Sequence, residues 1–232
     1  MITISAENAS EQIAELTKKY STLSVIESDA SRVRLRGEIA VYRTACGFTV
    51  DRSYNVEVIV PINSYELPFV VDLDGAIDDS FVHRYKNGQL CLETDTTVRW
   101  RFVDGFNLSE WVDEYVEPYF FSYEYYRRFG CFPFGERPHG LEGVLNTYQD
   151  ILHEPDLKKV ISLMAYCVDK RYRGHVSCPC GSGKKLRCCH GNVLFSIMSD
   201  PNKKEIVSLD VNFIRKAISN HESPRKNIQT SK

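Results

Sequence analysis

Two stretches in the N-terminal half carry apolar residues at every second position, and this alternation constrains the fold more than any other feature of the sequence. In residues 32–42 the apolar positions are Val33, Leu35, Ile39 and Val41. In residues 54–62 they are Tyr54, Val56, Val58, Val60 and Ile62. A period of two places these side chains on one face of a strand, which predicts two half-buried β-strands. Turn residues at Gly47 and at 51–53 predict that the two strands pair antiparallel.

Shorter segments on either side complete the predicted sheet. Residues 23–26 and 69–73 each offer a short apolar strand. Helices are predicted over 5–20, 141–153 and 156–169, where apolar residues recur at helical spacing. The sequence therefore predicts an α+β fold with a four-stranded antiparallel meander and flanking helices.

Another helix has a well-marked start. Asn107 is a favourable N-cap, and Glu110 follows three residues later as in a capping box. Pro118 is predicted to kink or split this helix because proline has no N–H to donate. The dense aromatic stretch 119–126 is predicted to pack in the core, and a partner surface or a stacking platform for bases is the alternative.

Composition and charge limit the size of the core, the cellular location and the partners that we predict for the chain. The chain has 232 residues, of which 43% are hydrophobic and 26% are charged, enough for one sizeable core and a small appendage. We predict a cytoplasmic protein without a membrane span, since the sequence shows neither a run of eighteen apolar residues nor a signal peptide. Residues 1–169 hold 16 Lys/Arg and 27 Asp/Glu, whereas residues 170–232 hold 13 and 4. The basic C-terminal part indicates an acidic partner such as nucleic acid, a membrane surface or a protein, or else a solvated tail or attraction between the two halves.

The segment 83–92 places a cysteine where a thiol can become reactive. An Asn-Gly pair, which is a strong turn signal, delivers the chain to Cys91 between two leucines. With the leucines buried, the thiol would lie at a rim and could attack as thiolate. Arg84, Lys86 and His83 are near enough in sequence to lower its pKa. The alternative is that Cys91 is a small core hydrophobe.

The order of elements around Cys91 is informative. The chain carries, in this order, a helix, an antiparallel meander, a Pro-containing segment at 65–68, the pattern Asn-Gly-x-Leu-Cys, Trp100 and a capped helix. This order resembles the ubiquitin-conjugating-enzyme fold over roughly residues 5–150. The resemblance implies that Cys91 receives a ubiquitin-like modifier or a protein C-terminus from an activating enzyme, carries it as a thioester, and passes it to an acceptor.

The family's His-Pro-Asn triplet reads His-Arg-Tyr here, at 83–85, so the Asn that supports the oxyanion in the family is missing. Asn87 or backbone N–H groups of the loop could serve the oxyanion instead. His83 and His139 are the histidines considered for proton transfer or for activation of the thiol. A turn role for Asn87 and an ordinary loop role for His139 are the simpler interpretations.

Residues 178–191 carry the most specific pattern in the chain. Two cysteines separated by a proline are followed by a Gly-Ser-Gly turn and then by a Cys-His pair. Three sulfurs and one imidazole can surround Zn²⁺ tetrahedrally with no open position, which predicts a structural metal. All fourteen residues resemble the SEC-C motif. By that resemblance the ligands are Cys178, Cys180, Cys189 and His190. Cys188 is an extra thiol that could compete with Cys189.

Four segments are predicted along the chain. A ubiquitin-conjugating-enzyme-like domain occupies 1–153, a helical connector 154–175, a SEC-C zinc module 176–192 and a basic, partly disordered tail 193–232. Within this tail a helix is predicted near 210–219 and disorder over 223–232.

The first functional hypothesis is a transferase of bacterial ubiquitin-like conjugation, a class that the resemblance links to antiphage defence. The second is an inactive adaptor of the same fold, whose zinc module and basic tail bind a protein or, as a lesser alternative, nucleic acid.

Overall fold

The computed structural model of the protein describes residues 3–136 and 138–222. The chain divides into two compact units, Met1–Arg137 and Pro138–Lys232, here called unit 1 and unit 2. The sequence placed the end of the first domain at 153. The division falls earlier because the helix Gly140–Leu152 packs on the helices that follow it in the chain.

Unit 1 is an α+β unit with one antiparallel sheet. Its elements are α1 (Ala9–Lys19), β1 (Ser24–Ser28), β2 (Arg32–Ala45), β3 (Phe48–Pro61), β4 (Phe69–Asp72), α2 (Asp95–Arg101), α3 (Leu108–Trp111), a π-helical turn (Val112–Val116) and α4 (Glu117–Phe129). The strands lie in the order β1-β2-β3-β4, and each pairs antiparallel with its neighbour in sequence. The predicted four-stranded antiparallel meander with flanking helices is confirmed.

The β2–β3 hairpin is longer than the sequence predicted. Cys46 and Gly47 both have positive φ, 51° and 70°, as a two-residue hairpin turn requires. Pairing therefore continues up to this turn, with Ala45 opposite Phe48. The turn predicted at 51–53 was wrong, because those residues lie inside β3.

Aromatic side chains of α4, the last helix of unit 1, cover the inner face of the sheet. Phe120 and Phe121 are fully buried, and the Phe120 ring stacks on Tyr54 of β3 with the centroids 3.9 Å apart. The Tyr54 hydroxyl donates to the buried carboxylate of Glu124 over 2.8 Å, and Arg52 reaches the same carboxylate at 2.7 Å. The prediction that the stretch 119–126 packs in the core is confirmed.

The helix that begins after Asn107 is split, as Pro118 predicted. The Asn107 side chain caps it by accepting the Glu110 N–H over 2.8 Å. After α3 the chain makes one π-helical turn, and Pro118 lies in the first turn of α4. Because proline cannot donate to a preceding carbonyl, the wider π turn fits the break in the ladder.

Unit 2 is helical around a short loop module. Its elements are α5 (Gly140–Leu152), α6 (Leu157–Asp169), a 3-10 turn (Leu186–Cys188), α7 (Gly191–Ser199) and α8 (Pro201–Glu222). Helix α6 is capped by Asp156, whose side chain accepts from the N–H groups of Lys158 and Lys159.

The predicted tail is largely helical. Residues 193–222 belong mostly to α7 and α8, which bury Leu194, Ile206 and Val207 against the unit. The helix predicted near 210–219 is confirmed as part of α8, and the disorder predicted for 223–232 lies outside the described residues. No helix in the described part of the chain combines the length and the apolar character that crossing a bilayer would need.

Candidate functional site

The turn before Cys91 is a small closed hairpin. The Tyr85 N–H donates to the Gln89 carbonyl over 2.8 Å, and the Gly88 N–H donates back to the Tyr85 carbonyl over 2.9 Å. Gly88 has φ of 83°, which favours glycine. The Asn87 side chain accepts the Gln89 N–H over 3.1 Å, and this hydrogen bond stabilises the turn.

Two backbone bonds fix the cysteine beside the sheet. The Leu90 N–H donates to the Val70 carbonyl in β4 over 2.9 Å, and the Leu90 side chain is buried as predicted, whereas Leu92 is only partly buried. The Cys91 N–H donates to the His83 carbonyl over 2.8 Å. The thiol itself is half-buried, so the sequence correctly placed it at a rim.

Cys91 lines a narrow groove of about 70 Å³ in unit 1. The apolar side of this groove is formed by Leu67, Pro68, Phe69, Leu90, Leu92, Val98 and Trp111. Its polar side is formed by Tyr85, Gln89, Glu93 and Asp95. A slender, mostly apolar group can therefore approach the sulfur along this groove.

Tyr85 is a partner of the thiol that the sequence did not predict. Its hydroxyl donates to Cys91 Sγ over 3.5 Å. This hydrogen bond, together with partial burial, raises the pKa of Tyr85 to about 12, so the hydroxyl stays protonated at neutral pH. The signal that could have revealed it is the turn itself, because a tight Asn-Gly hairpin brings residues on its two arms together.

The environment of Cys91 disfavours its thiolate. Burial is the main cause that raises the pKa of Cys91, and the carboxylates of Glu93 and Asp95 raise it further, against the lowering effect of the Tyr85 hydroxyl. The predicted lowering of this pKa by nearby cations was wrong. Arg84 forms an ion pair with Asp79, so its charge is compensated.

The structure brings His83 and Cys91 together, with a ring nitrogen and Sγ within 4.8 Å. The His83 ring packs against Phe132 and Phe81, with centroid distances of 5.0 and 5.4 Å. His139 belongs to unit 2, where it is the N-cap residue of α5.

We expect Cys91 to react slowly with iodoacetamide at pH 7, because the thiolate is the reacting form. As long as the pH stays below the raised pKa of Cys91, the rate should rise about tenfold for each unit by which the pH is increased. Mass spectrometry of peptides from the alkylated folded protein would give the rate for each cysteine. Cys131, which is exposed, is the internal reference. A Cys91 rate above that of Cys131 at pH 7 would contradict the raised pKa.

The second site is built on a short hairpin in unit 2. The Cys178 N–H donates to the Lys184 carbonyl over 2.8 Å, and the Leu186 N–H donates to the Val176 carbonyl over 2.8 Å. Gly181 and Gly183, with φ of 77° and 76°, turn the chain between the two arms. The hairpin thus returns the chain so that the second pair of ligands faces the first.

Cys178, Cys180, Cys189 and His190 form a cluster that can hold a metal ion, here called the Cys3His cluster. Its four ligand atoms lie within 4.8 Å of one another. Among the described residues this group contains Cys189 and not its neighbour Cys188, although both cysteines are exposed. The predicted ligands are therefore together in space.

The spacing of the cluster fits a tetrahedral ion. Sγ of Cys180 and Sγ of Cys189 are 3.6 Å apart, and His190 Nδ1 lies 3.4 Å from Sγ of Cys178 and 3.3 Å from Sγ of Cys189. Zn–S bonds of about 2.3 Å and Zn–N bonds of about 2.0–2.1 Å in a tetrahedron require edges of roughly 3.8 and 3.6 Å. The sulfurs are much too far apart for a disulfide, whose S–S bond is about 2.05 Å.

One thiol of the cluster is prepared for metal binding. Burial opposes ionisation of Cys180, but hydrogen bonds from the Ser182 hydroxyl and amide and from the neighbouring thiols lower the pKa of Cys180 to about 6. Burial raises the pKa of Cys178 to about 11. Since thiolates are the ligating form, metal uptake must release the proton of Cys178.

The chain around the cluster is strongly basic. Residues 170–199 contain no Asp or Glu. Six exposed cations lie in this stretch, at Lys170, Arg171, Arg173, Lys184, Lys185 and Arg187. These charges offset the negative charge that three thiolates place on a bound divalent ion.

The fold and its sites define an α+β unit that presents a half-buried cysteine in a groove, in one chain with a helical unit that bears a Cys3His metal-binding cluster. Comparisons with known protein families, with curated proteins and with solved structures give no significant match to this chain.

Proposed function

We propose that the protein is a cysteine-dependent acyl transferase that carries a ubiquitin-like modifier or a protein C-terminus as a thioester on Cys91 and passes it to an acceptor. The observation that carries this proposal is the half-buried Cys91 thiol in a groove, with the Tyr85 hydroxyl 3.5 Å from the sulfur. The antiparallel meander that precedes Cys91 agrees with the resemblance to ubiquitin-conjugating enzymes. The proposal of a role in antiphage defence rests on that resemblance alone.

The proposed first step is an exchange between two sulfurs. The Cys91 thiolate attacks the carbonyl carbon of an acyl thioester on an activating enzyme, a new S–C bond forms, and the old S–C bond breaks. The departing thiolate takes up the proton that Cys91 has lost, so the exchange is balanced. In the second step an acceptor amine attacks the Cys91 thioester, loses a proton and releases the Cys91 thiolate.

Tyr85 is well placed to support these steps. A protonated hydroxyl that points at Sγ can stabilise the thiolate, and it can donate to an oxyanion that forms on the carbonyl carbon bonded to this sulfur. In this proposal Tyr85 takes the role expected of the missing Asn, while Asn87 keeps the turn. His83, within 4.8 Å of the thiol, is the proposed proton acceptor.

The raised pKa of Cys91 is compatible with carriage of an acyl group. A thiolate of high pKa is a poorer leaving group, so its thioester exchanges more slowly with passing thiols. Glu93 and Asp95, which line the same groove, would attract the ammonium form of a lysine acceptor.

We further propose that the ion in the Cys3His cluster is Zn²⁺ in a structural role. Three thiolates and one imidazole are soft and borderline ligands that suit zinc, and they complete a four-coordinate shell. Bound zinc would hold the hairpin in its fold, since the module has little apolar surface of its own. Because the Cys3His cluster supplies all four ligands, the ion needs no water ligand in this role.

Transthiolation from a synthetic peptide thioester with a C-terminal glycine would test the transferase proposal. Wild-type protein should form an adduct that dithiothreitol removes, and Cys91→Ser should form none that dithiothreitol removes. Cys131→Ser, which alters an exposed cysteine in the same unit, should behave as wild type. A dithiothreitol-sensitive adduct of equal yield on Cys91→Ser, or no adduct on wild type, would refute the proposal.

A second function is favoured by one observation: Cys91 is half-buried beside the carboxylates of Glu93 and Asp95, and burial and these charges raise the pKa of its thiol. In this alternative unit 1 is an inactive adaptor, Cys91 contributes to packing, and the basic surface of unit 2 binds an acidic protein or nucleic acid. The adaptor predicts no adduct on wild type together with binding that weakens steeply as salt is raised, if the partner is nucleic acid.

A further inference from the structure

Glu154 is a buried carboxylate beside the Cys3His cluster. It lies in the turn between α5 and α6 and is 8% exposed. Its Oε1 accepts the Asp156 N–H over 3.2 Å and lies 3.7 Å from Nζ of Lys159. Its Oε2 lies 3.8 Å from Nε2 of His190. A buried carboxylate needs partners that offset the loss of hydration, and here the Asp156 N–H and Lys159 supply two, while His190 lies just beyond hydrogen-bond distance.

The two nitrogens of His190 face different groups. Nδ1 lies 3.4 Å from Sγ of Cys178 and 3.3 Å from Sγ of Cys189, so it is the nitrogen directed at the metal position. Nε2 is directed at Glu154. A neutral imidazole that ligates through Nδ1 carries its proton on Nε2, which makes Nε2 a donor toward the carboxylate.

We propose that Glu154 is a positioning residue for the metal centre, which accepts the Nε2–H of His190 in the metal-bound protein and holds the ring with Nδ1 toward the ion. This inference rests on the proposed zinc occupancy of the cluster. Carboxylates in this position fix the tautomer and orientation of a ligating histidine and increase its basicity.

The turn that carries Glu154 is itself well fixed. His153 ends α5 in the left-handed region with φ of 52°, and Pro155 follows. The Glu154 N–H donates to the Gln149 carbonyl over 3.1 Å, and the Asp156 cap begins α6. A contact between Glu154 and His190 therefore joins the metal loop to the junction of two helices. Metal occupancy should stabilise that junction as well as the loop.

The test uses the full-length protein and zinc alone. Glu154→Gln and Glu154→Ala should weaken zinc binding about 10–100-fold, with the larger loss for alanine, as measured by competition with a chromophoric chelator. Glu142→Gln, an exposed acid on α5, is the matched control and should bind as wild type. The ¹⁵N chemical shifts of His190 in the zinc-bound protein should show Nε2 protonated in wild type.

A second measurement separates positioning from packing. If Glu154 acts through the metal, the Glu154→Gln change should lower the melting temperature of the zinc-bound protein more than that of the zinc-free protein. Equal zinc affinity of wild type and both Glu154 variants would overturn the inference while leaving the zinc proposal intact. Failure of wild type to bind zinc would overturn both.

Discussion

Cys189→Ser is expected to abolish tight zinc binding, whereas Cys188→Ser should leave it unchanged. The two cysteines are neighbours and both are exposed, but Cys189 Sγ belongs to the Cys3His cluster. Structural zinc contributes an apparent binding free energy of about 10–16 kcal/mol in small modules, and a lost thiolate forfeits a large share of it. Zinc content by mass spectrometry after gel filtration should fall from one ion per chain to almost none in Cys189→Ser.

Loss of the ion should also loosen the loop. Proteolysis between 176 and 192 should be faster in Cys189→Ser, and in wild type treated with a chelator, than in Cys188→Ser. Full zinc content in Cys189→Ser together with loss in Cys188→Ser would show that the neighbouring thiol is the ligand. The serine changes are matched in size and polarity, so their difference reports ligation.

Gly37→Ala is expected to destabilise unit 1 by about 3 kcal/mol or more, which is among the largest effects of adding one methyl group. Gly37 lies within β2, opposite Val56 of β3. A Cβ atom there would overlap the backbone carbonyl of Thr22. Because the obstacle is backbone rather than a flexible side chain, the overlap can be removed only if the chain before β1 moves away from the sheet.

Gly105→Ala is the control for this prediction. Its φ of 151° is close to the 156° of Gly37, but an added Cβ would meet no atom within 4 Å. Tryptophan fluorescence during urea unfolding reports unit 1, since Trp100 and Trp111 both lie in it. Equal unfolding free energies for the two alanine variants would contradict the clash at Thr22.

Features encoded over short distances could be predicted from the sequence. The period of two in β2 and β3 and the cap at Asn107 each depend on neighbours within a few residues. The same is true of the Cys3His cluster, whose four ligands lie within thirteen positions of one another. The hairpin turn at Cys46 and Gly47 was placed less well, since cysteine gives little indication of a left-handed conformation.

Features that depend on distant contacts could not be predicted. The pKa of Cys91 was expected to fall because cations are close in sequence, but burial and the carboxylates of Glu93 and Asp95 decide its direction. Glu154 gave no local signal, because its partner His190 lies two helical elements further along the chain. Sequence proximity is a poor guide to electrostatics when side chains point to different partners.

The π-helical turn Val112–Val116 also fixes the rotation of the helix that follows it. The hydrogen bonds of this turn span five residues rather than four, so it accommodates one residue more than an α turn of the same rise. Deletion of one residue here should convert it to a regular α turn and keep Phe120 and Phe121 on the sheet and Glu124 on the Tyr54 hydroxyl. This segment is therefore where the helix can lose one residue without turning its aromatic face away from the strands.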